Sequence, residues 1–463
     1  MMTICMMAAN DLSHDPRVER AARAASRGGY RVVRLGHDPE GTADRPPRHG
    51  EGRILVPSWR YHIAKAFASV VLRPVFFLNP LWTIRRVARR WPRVVAGRWR
   101  DWVERRWARR VARAAGRRRA WNSRWLDQVN LVLSCADLTR VMGKAGRAVR
   151  ADLYHAHDLP ALPAALAAAE ASGAGVVYDA HELWVEMNPE WCWWFRQWAT
   201  RLEARHIVQA DRCIAVNGSI GKTLSERYGV ASPTTILNCP DRHQYSEERA
   251  HDDRKNLSLG PNDVAVLYQG RYEPGRGLEE LIDAAPLLTA HMTVFLRGYG
   301  VWEERLRERV RKNGMEARVK FLPPVPMDDL VQAAAFADIG VLPYRPVCEN
   351  NRLASPNKLF EYMMAGLAVA ASDLPELRRL LGENGWFFDP NDPASIAQAL
   401  NSAAGGRETL NRVKASCRES ARTRYNWETE GRTLVAVYDV VTGCRRTQPA
   451  CAKGEPGVLA GRG

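Results

Sequence analysis

The sequence predicts an α/β protein made of two doubly wound, Rossmann-like domains that face each other across a cleft. Three observations predict this fold class. Strand-length apolar segments alternate with helical segments in the first half of the chain, a polar and turn-rich run over 241–263 interrupts the pattern, and the alternation then restarts. Such alternation favours a parallel sheet with crossover helices, and these sheets bind ligands at the carboxyl ends of their strands. We therefore expect a ligand site in the cleft.

The first half contains four predicted strands. They follow the helical segment VERAARAASRGG, they are separated by alanine-rich helical stretches, and they span 31–36, 153–158, 176–182 and 213–217. We expect residues 1–245 to form an N-terminal domain, interrupted by a basic insert rich in Trp and Arg at about 59–125.

The second half repeats the alternation. The predicted strands are 264–270, 292–298, 319–323, 338–344 and 367–372, and the predicted helices are 278–288, 302–314, 328–337, 358–366 and 394–403. We expect a C-terminal domain over 260–424 and a helix over 425–442 that crosses back to the N-terminal domain. Residues 443–463 lack periodicity and are rich in Gly and Pro, which predicts a disordered tail.

The cysteine pattern and the first residues indicate the compartment. The nine cysteines are odd in number, scattered, and form no C-x-x-C pair, which argues for a reducing cytosol and against a disulfide framework or a zinc site. The N-terminus has no basic region before an apolar core, so we expect no secretory signal. Both observations predict a cytoplasmic protein.

The insert concentrates the positive charge of the chain. The formal net charge is +17, and the segment 85–124 alone holds sixteen arginines against Asp101 and Glu104. An interrupted apolar run, 66–82, precedes it, and five tryptophans lie at or near its arginines: Trp91, Trp99, Trp102, Trp107 and Trp121. Arginine with interleaved tryptophan suits an anionic membrane surface, which we expect residues 66–124 to contact. A solvated charged helix is the alternative; nucleic acid is not expected, since no nucleic-acid-binding motif accompanies the arginines.

The stretch SPNKLFEYMMAG (355–366) predicts an anion site at the start of a helix. Ser355 is a good N-cap and Pro356 suits the first helical position. The exposed amide groups and the positive dipole end attract an anion, and Lys358 adds a full charge. Glu361, one turn along, can accept hydrogen bonds from a ribose diol. The alternative is a packed helix with a surface Lys358–Glu361 pair.

The stretch GRYEPGRGL (270–278) is a second candidate for binding phosphate. Gly270, Gly275 and Gly277 relax the backbone behind a predicted strand, and Arg271 and Arg276 lie at the mouth of the next helix. Guanidinium groups at a glycine-rich strand end suit a diphosphate. A solvated loop is the alternative. Both stretches follow strands of the same domain, which favours a shared site.

These two stretches, with LAVAASDLPE (367–376), resemble the donor-binding half of family 4 retaining glycosyltransferases of the GT-B fold. The resemblance covers most of the chain outside 50–128 and the tail. In the first half it rests on DPRVERAARAASRGGYRVV, LYHAHDLPALPAA, VVYDAHELW, ADRCIAVNGSIGKTLSERYGV and ILNCPD. It implies an acceptor-binding N-terminal domain and a C-terminal domain for a nucleotide-sugar donor.

The resemblance also implies roles on the donor side. Arg271 and Arg276 match the Arg and Lys that grip the donor diphosphate, and Glu361 matches the glutamate that holds the ribose. Asn357 and Lys358 lie at the helix start that approaches the diphosphate and the sugar. Further substrate-binding positions in the matching stretches are Gly270, Gly277 and Glu376.

The sequence departs from the family pattern at two places. The family often carries a glutamate eight positions before Glu361, where this chain has Leu353. Either Glu349 or Asn351 substitutes through a local loop shift, or that sugar contact is absent. The family's N-terminal glycine-rich loop is replaced by NDLSHDPR, which puts its acceptor contacts in doubt.

Two histidines follow one predicted strand. His155 and His157 flank Ala156, and we expect them to point to opposite faces, so that only one faces the cleft. The resemblance assigns that place, near the donor sugar, to His157, which we predict as catalytic with Arg271 and Arg276. A structural histidine is the alternative. We expect no metal, because no third ligand lies nearby and the family generally works without one.

A second strand end carries acid and base groups. Asp179 ends the stretch GVVYD, and His181 and Glu182 follow it; we place all three on the acceptor side, with a structural or interface role favoured over a catalytic one.

The sequence as a whole predicts a retaining glycosyltransferase. It would move a sugar from a UDP- or GDP-linked donor to a lipid-linked or cell-envelope glycan, with no cofactor, at the inner face of the plasma membrane. No nucleophile motif is present, so the main task is to stabilise the leaving diphosphate. A GT-B sugar-nucleotide epimerase that uses the Asp179 to Glu182 cluster, and a non-catalytic membrane-binding scaffold, stay open.

Overall fold

The computed structural model describes residues 1–10, 12, 15–38, 53–57, 125, 127–243 and 245–446. Within these residues the strands form two parallel sheets, one in each half of the chain. The predicted fold class, two Rossmann-like domains, is confirmed.

The first sheet has seven strands in the order β3-β2-β1-β4-β5-β6-β7. Its interior strand β1 (TICMMA) is almost wholly buried, because helices cover both faces of a parallel sheet. The strands are β1 (Thr3–Ala8), β2 (Arg31–Asp38), β3 (Arg53–Pro57), β4 (Leu153–His157), β5 (Gly175–Ala180), β6 (Arg212–Ala215) and β7 (Thr234–Thr235). The helices of this half are Pro16–Arg27, 127–149, Leu162–Ser172, Trp193–Ile207 and Gly218–Tyr228.

The second sheet has six strands in the order β10-β9-β8-β11-β12-β13. They are β8 (Val264–Arg271), β9 (Met292–Tyr299), β10 (Val319–Leu322), β11 (Ile339–Leu342), β12 (Ala368–Ser372) and β13 (Gly385–Phe388). The helices are Leu278–Ala284, Glu303–Lys312, Leu330–Ala334, Glu349–Arg352, Asn357–Met364, Pro375–Leu381, Pro393–Ala404 and Arg407–Thr423.

The sequence predicted an irregular run between the two sheets, over 241–263, but part of this run is helical. It contains the helix Glu247–Asn256, which Ser246 caps by accepting a hydrogen bond from the backbone N–H of Arg249. Ala250 is the buried residue of this helix. Because so little of the helix is buried, it shows no apolar period for sequence reasoning to detect.

The helix Trp427–Arg446 lies against the first domain. Trp427, Leu434 and Tyr438 pack in one cluster with Ile4 and Met6 of β1. Helical residues 443–446 belong to the segment predicted as disordered, so that expectation is wrong for them. Residues 447–463 lie outside the described part of the chain.

The insert predicted to contact a membrane lies outside the described residues, except for residue 125. Among the residues that are described, none of the helices is long and apolar enough to span a membrane.

The two domains meet where the strands of the first sheet end. The Asn217 side chain, just after β6, donates through Nδ2 to the Leu353 carbonyl oxygen at 2.8 Å and to Ser355 Oγ at 3.1 Å. The backbone N–H of Leu183, after β5, donates to Asn350 Oδ1 at 2.8 Å. The segment that precedes the helix Asn357–Met364 therefore closes one end of the cleft.

Candidate active site between the two sheets

Two cations of the second domain, Lys358 and Arg276, lie close to the ring of Tyr344. Lys358 is nearly buried, and its Nζ donates to the Tyr268 hydroxyl at 3.2 Å and lies 5.2 Å from the Tyr344 ring centroid. The Arg276 guanidinium lies 4.7 Å from the same centroid. Among the described residues, no carboxylate oxygen forms an ion pair with Lys358. A buried lysine without a matching carboxylate, with a second cation beside it, is an anion-binding arrangement.

Two of the predicted glycines make this arrangement possible. Gly270 has φ +144°, and a Cβ there would lie 2.5 Å from Lys358 Nζ. Gly277 has φ +65°, and its Cβ would lie 1.8 Å from the carbonyl oxygen of Pro343. Both positions therefore require glycine, for backbone conformation and for space.

The two predicted arginines differ in exposure. Arg271 is 62% exposed and pairs with Glu273 at 2.7 Å, whereas Arg276 is 29% exposed and lies 3.6 Å from the other oxygen of the same carboxylate. Sequence reasoning missed Glu273, although its place between the two arginines was the available signal. Arg276, and not Arg271, shares the cation cluster with Lys358 in this structure.

The helix behind Lys358 begins later than predicted. It spans Asn357–Met364 with Pro356 as N-cap, because Pro356 has the extended backbone angle ψ 138°. The Ser355 hydroxyl instead accepts from Asn217, and no side chain caps the helix. The free N–H groups of the first turn, which starts at the half-buried Asn357, add partial positive charge beside Lys358.

Glu361 lies between the second domain and a cation of the first. Burial raises the pKa of its carboxyl, while the charges of Lys358 and Arg20 and a hydrogen bond from Gln269 oppose the shift. Arg20 belongs to the helix Pro16–Arg27 and donates to Asn238 Oδ1 at 3.1 Å. Sequence reasoning missed Arg20 because it comes from the other domain.

Glu376 is placed away from the open cleft. It is fully buried, and its Oε2 accepts from the Ser219 hydroxyl of the first domain at 2.6 Å. Its Oε1 pairs with Arg379. In this structure Glu376 joins the two domains, and its contact with substrate stays a prediction.

The segment around Leu353 shows where the two predicted substitutes for the family glutamate lie. Leu353 is buried in the core cluster of the first domain. Glu349 pairs with Arg352, and Asn351 Nδ2 donates to the Arg345 carbonyl oxygen at 3.4 Å. Neither predicted substitute reaches across the cleft; Asn350, which does, was not singled out.

His155 and His157 share one face of β4, so the expectation of opposite faces is wrong. Their ring centroids lie 4.0 Å apart. Residues two apart in a strand point the same way, which the sequence argument had reversed. His155 Nδ1 lies 2.7 Å from the Tyr438 hydroxyl of the last helix.

Asp179 anchors this histidine cluster. Both of its oxygens accept from Arg17, at 2.6 Å and 2.8 Å, and both side chains are 2% exposed. Arg17 also donates to the Ile236 carbonyl oxygen at 2.9 Å. Burial favours the neutral acid, but the charges of Arg17 and His181 outweigh it and hold the pKa of Asp179 well below its ordinary value.

His181 connects the cluster to the cleft. Its Nε2 lies 3.0 Å from His157 Nδ1, and its Nδ1 lies 3.3 Å from Asp158 Oδ2. Burial opposes the charged form, but Asp158 and Asp179 raise the pKa of His181 to about 9. Burial, together with His155 and His181, lowers the pKa of His157 well below its ordinary value. At neutral pH His181 is therefore a cation and His157 is neutral.

The cluster brings together three groups that ligate metals elsewhere. Ligand atoms of His155, His157 and Asp179 lie within 4.8 Å of one another, so Asp179 is the third group that the sequence argument did not find. The Arg17 guanidinium, however, already occupies both oxygens of Asp179, and its charge repels a metal cation. We assign no metal to these residues.

Glu182 stands at the mouth of the cleft, opposite the second domain. Its side chain is open to solvent, and its Oε2 accepts from Asn350 Nδ2 at 3.3 Å. Partial desolvation and the charge of Asp158 raise the pKa of Glu182, and the charges of His181 and Arg276 oppose this shift. Glu182 is therefore an interdomain contact close to the cation cluster.

Sequence comparison finds two family models in the order of the two domains. Residues 94–241 match the model described as Glycosyltransferase Family 4, and residues 263–404 match Glycosyl transferases group 1. A D-inositol 3-phosphate glycosyltransferase of Geodermatophilus obscurus is 25% identical over 56% of this chain and 58% of its own length. A phosphatidyl-myo-inositol mannosyltransferase of Mycobacterium leprae is 32% identical over 38% of this chain and 46% of its own length. The chain thus spans about half the length of these relatives.

Solved structures share the whole architecture. HepE of Anabaena, in complex with UDP and glucose, superposes with a TM-score of 0.64 at 16% identity, over 95% of this chain and 100% of that one. Sucrose-phosphate synthase of Thermosynechococcus elongatus gives a TM-score of 0.68 at 15% identity, over 96% and 100%. At these identities the likeness concerns the fold.

Proposed function

The chain belongs to the family 4 glycosyltransferases of the GT-B fold, and from this premise we propose that it transfers a sugar from a nucleoside diphosphate donor to an acceptor with retention of configuration. The acceptor in this proposal is a lipid-linked or cell-envelope glycan. The donor half is the C-terminal domain, and the acceptor enters from the N-terminal side of the cleft.

The observation that carries this proposal is the convergence of Lys358 and Arg276 on Tyr344. Two like charges held close and largely out of water cost free energy unless an anion neutralises them. The first turn of the helix Asn357–Met364, whose N–H groups no side chain caps, contains Lys358 itself. A diphosphate has the charge and the oxygen spacing to engage all three groups. The presence of UDP and glucose in the HepE structure supports this class of ligand.

The proposed mechanism follows from charge. As the sugar–phosphate bond breaks, negative charge develops on the leaving diphosphate, and Lys358, Arg276 and the helix start stabilise it more strongly than they stabilise the intact donor. Arg271, which pairs with the same Glu273 carboxylate as Arg276, adds a further positive charge at the edge of this site. The acceptor hydroxyl attacks from the face that the leaving group vacates and gives its proton to the departing phosphate oxygen, which retains configuration without an enzymic nucleophile.

Glu361 has the role of ribose ligand in this proposal. Its carboxyl lies one turn along the helix from Lys358, beside Gln269 and within the field of Arg20. A carboxylate accepts two hydroxyl hydrogen bonds, which suits a ribose diol. Hydroxyl donors of a bound ligand would favour the ionised form of Glu361 and so oppose its raised pKa.

The acceptor side of the proposal rests on the names of relatives and on the charge of the insert. Two relatives are named for D-inositol 3-phosphate and for phosphatidyl-myo-inositol. We propose that residues 66–124 hold the protein at the inner face of an anionic membrane, where a lipid-linked acceptor would be presented.

The experiment is a measurement of nucleoside diphosphate release from UDP-, GDP- and ADP-sugars, with and without a membrane-lipid extract. We expect release that needs one donor and the extract and that is lost in Arg276→Met. The matched control is Arg305→Met, which removes a surface arginine paired with Glu279. Equal release from both variants would refute the assigned cation cluster. Conversion of a donor sugar without any acceptor would instead favour the epimerase.

A further inference from the structure

The cluster of buried titratable groups under the cleft carries one more inference. We propose that His181 is a positioning residue that fixes the proton of His157 on Nε2 and so makes His157 a neutral hydrogen-bond donor toward the bound sugar substrate. This proposal rests on the proposed function for its effect on turnover. The tautomer itself is a property of the free protein.

The hydrogen-bond geometry sets the protonation of His181. Its Nδ1 faces Asp158 Oδ2 at 3.3 Å, and its Nε2 faces His157 Nδ1 at 3.0 Å and Asp179 Oδ2 at 3.4 Å. An ionised carboxylate only accepts hydrogen bonds. With a carboxylate oxygen facing each ring nitrogen, the doubly protonated imidazolium is the form that the geometry favours, in agreement with the raised pKa of His181.

That imidazolium decides the tautomer of His157. Because His181 Nε2–H donates to His157 Nδ1, this nitrogen has to be the acceptor. A neutral imidazole has a single proton, which then sits on Nε2. His157 Nε2 is buried and has no hydrogen-bond partner among the described residues. It is thus a donor left free at the carboxyl end of β4, where this class of sheet binds ligands.

The backbone holds His181 in place at a local cost. Asp158 is a non-glycine residue with φ +63°, and its carboxylate accepts from the backbone N–H of His181 at 2.9 Å. Strained residues of this kind persist where the surroundings fix them, and they cluster at functional sites. The strained backbone of Asp158 places its carboxylate next to the His181 ring, whose positive charge it stabilises.

The charges around the two rings balance. Arg17 and His181 are positive, Asp158 and Asp179 are negative, and burial keeps His157 neutral. The titratable groups that face the two rings come from three elements and the loop after β5, and they are Arg17, His155, Asp158, Asp179 and Glu182. The cluster therefore offers the sugar a hydrogen-bond donor without adding a net positive charge near its reacting carbon.

The pH dependence follows from the raised pKa of His181. Below about 9 the ring is charged and the His157 tautomer is fixed; as the pH rises through about 9 the ring loses a proton and the tautomer is no longer imposed. We expect turnover to fall over that range. In Asp158→Asn one of the two stabilising carboxylates is gone, so this alkaline limb should move to lower pH.

The test uses the full chain and three variants: His181→Phe, His181→Gln and Asp158→Asn. We expect kcat in His181→Phe to fall by roughly tenfold or more, as when one hydrogen bond to a reacting ligand is lost, with little change in the donor KM. His181→Gln, whose amide can donate to His157 Nδ1, should recover part of kcat. An alkaline limb that stays in place in Asp158→Asn would overturn the proposal, because a merely structural role predicts lower stability with the pH profile unchanged.

A second readout does not depend on turnover. In protein labelled with ¹⁵N histidine and assigned with a His157→Gln variant, Nδ1 of His157 should be the unprotonated nitrogen and Nε2 the protonated one. The reverse pattern, or the same pattern in His181→Phe, would overturn the proposal. If the wild type shows the expected tautomer but turns over no donor, the proposed function fails while this inference about His181 stands.

Discussion

At the scale of single residues, the positions that the sequence singled out are those that a short stretch of chain places at a strand end or a helix start. Arg276, Lys358 and Glu361 were predicted from two short stretches, because each stretch sets its own strand end or helix start. Arg20, which faces Glu361, was missed because its partner comes from the other domain. The two-residue period of a strand is enough to place His155 and His157 on one face, so the expectation of opposite faces applied that period wrongly.

The charge of Lys358 gives a direct test of the anion site. Lys358→Met keeps the length of the side chain and removes its charge, so we expect binding of a nucleoside diphosphate to weaken by about 2 kcal/mol or more, roughly thirtyfold. Calorimetry on the free nucleotides measures this change. Lys320→Met, on the exposed end of β10, is the control. Equal affinities in the two variants would contradict the site.

Gly270 tests the geometry behind that charge. In Gly270→Ala the new Cβ meets Lys358 Nζ, and the φ of +144° is strained for alanine, so both stability and nucleotide binding should fall. Gly314→Ala is the matched control, since Gly314 has φ +63° and nothing within 4 Å of its Cβ. We expect both variants to lose about 1–3 kcal/mol of stability and only Gly270→Ala to lose nucleotide affinity. Similar affinity in the two would mean that Lys358 can shift without consequence.

At the scale of elements, strands were easier to predict than the helix between the domains. Interior strands such as β5 and β8 are apolar runs buried on both faces, which is a strong local signal, whereas β1, β3, β7 and β13 were not predicted. The helix Glu247–Asn256 has a single buried residue, Ala250, and therefore no apolar period. The start of the helix Asn357–Met364 was misplaced by one residue because Asn217, from the other domain, engages the predicted cap.

The buried Arg17–Asp179 pair joins two elements, the helix Pro16–Arg27 and β5. Removing one partner leaves an unpaired buried charge, so Arg17→Met and Asp179→Asn should each cost about 3–5 kcal/mol. The double variant should cost less than the two single costs added together, because it leaves no lone charge. Urea unfolding midpoints of the four proteins measure this. Strictly additive shifts would show that the pair is not coupled.

The Arg17–Asp179 pair also makes the stability of the fold depend on pH in the acid range. The folded-state pKa of Asp179 lies below its unfolded value, so its contribution to stability is full at neutral pH and is lost as the pH falls below about 4. Asp179→Asn should therefore flatten the acid limb of the stability profile. If the acid limb is unchanged in Asp179→Asn, other carboxyl groups are responsible for the loss of stability at acid pH.

At the scale of the whole molecule, the two-domain plan was predictable and the contacts between the domains were not. The alternation of strands and helices repeats along the chain and is local at each step. The contact between Asn217 and Leu353 joins residues 136 positions apart, and no local pattern announces it. Glu376 is an example. It ends the stretch 367–376, which resembles a donor-site motif, yet in the structure it accepts a hydrogen bond from Ser219 of the other domain.

The uneven charge of the molecule leads to a prediction about its location. Of a net charge of +17, the arginines of 85–124 supply the larger part, so the attraction to an anionic surface should reside in this segment. Deleting 85–124 should lower binding to vesicles that contain anionic lipid, measured by co-sedimentation. Nucleotide affinity should stay as in the full chain, because the cation cluster lies in the second domain.

The control separates charge from hydrophobic contact. Raising the salt concentration screens the arginines, so binding of the full chain should weaken with salt, whereas a contact made through the tryptophans alone would persist. Unchanged vesicle binding after the deletion would remove the membrane argument. In that case the lipid-linked acceptor would lose its main physical support, while the diphosphate site, which depends on Lys358 and Arg276, would be unaffected.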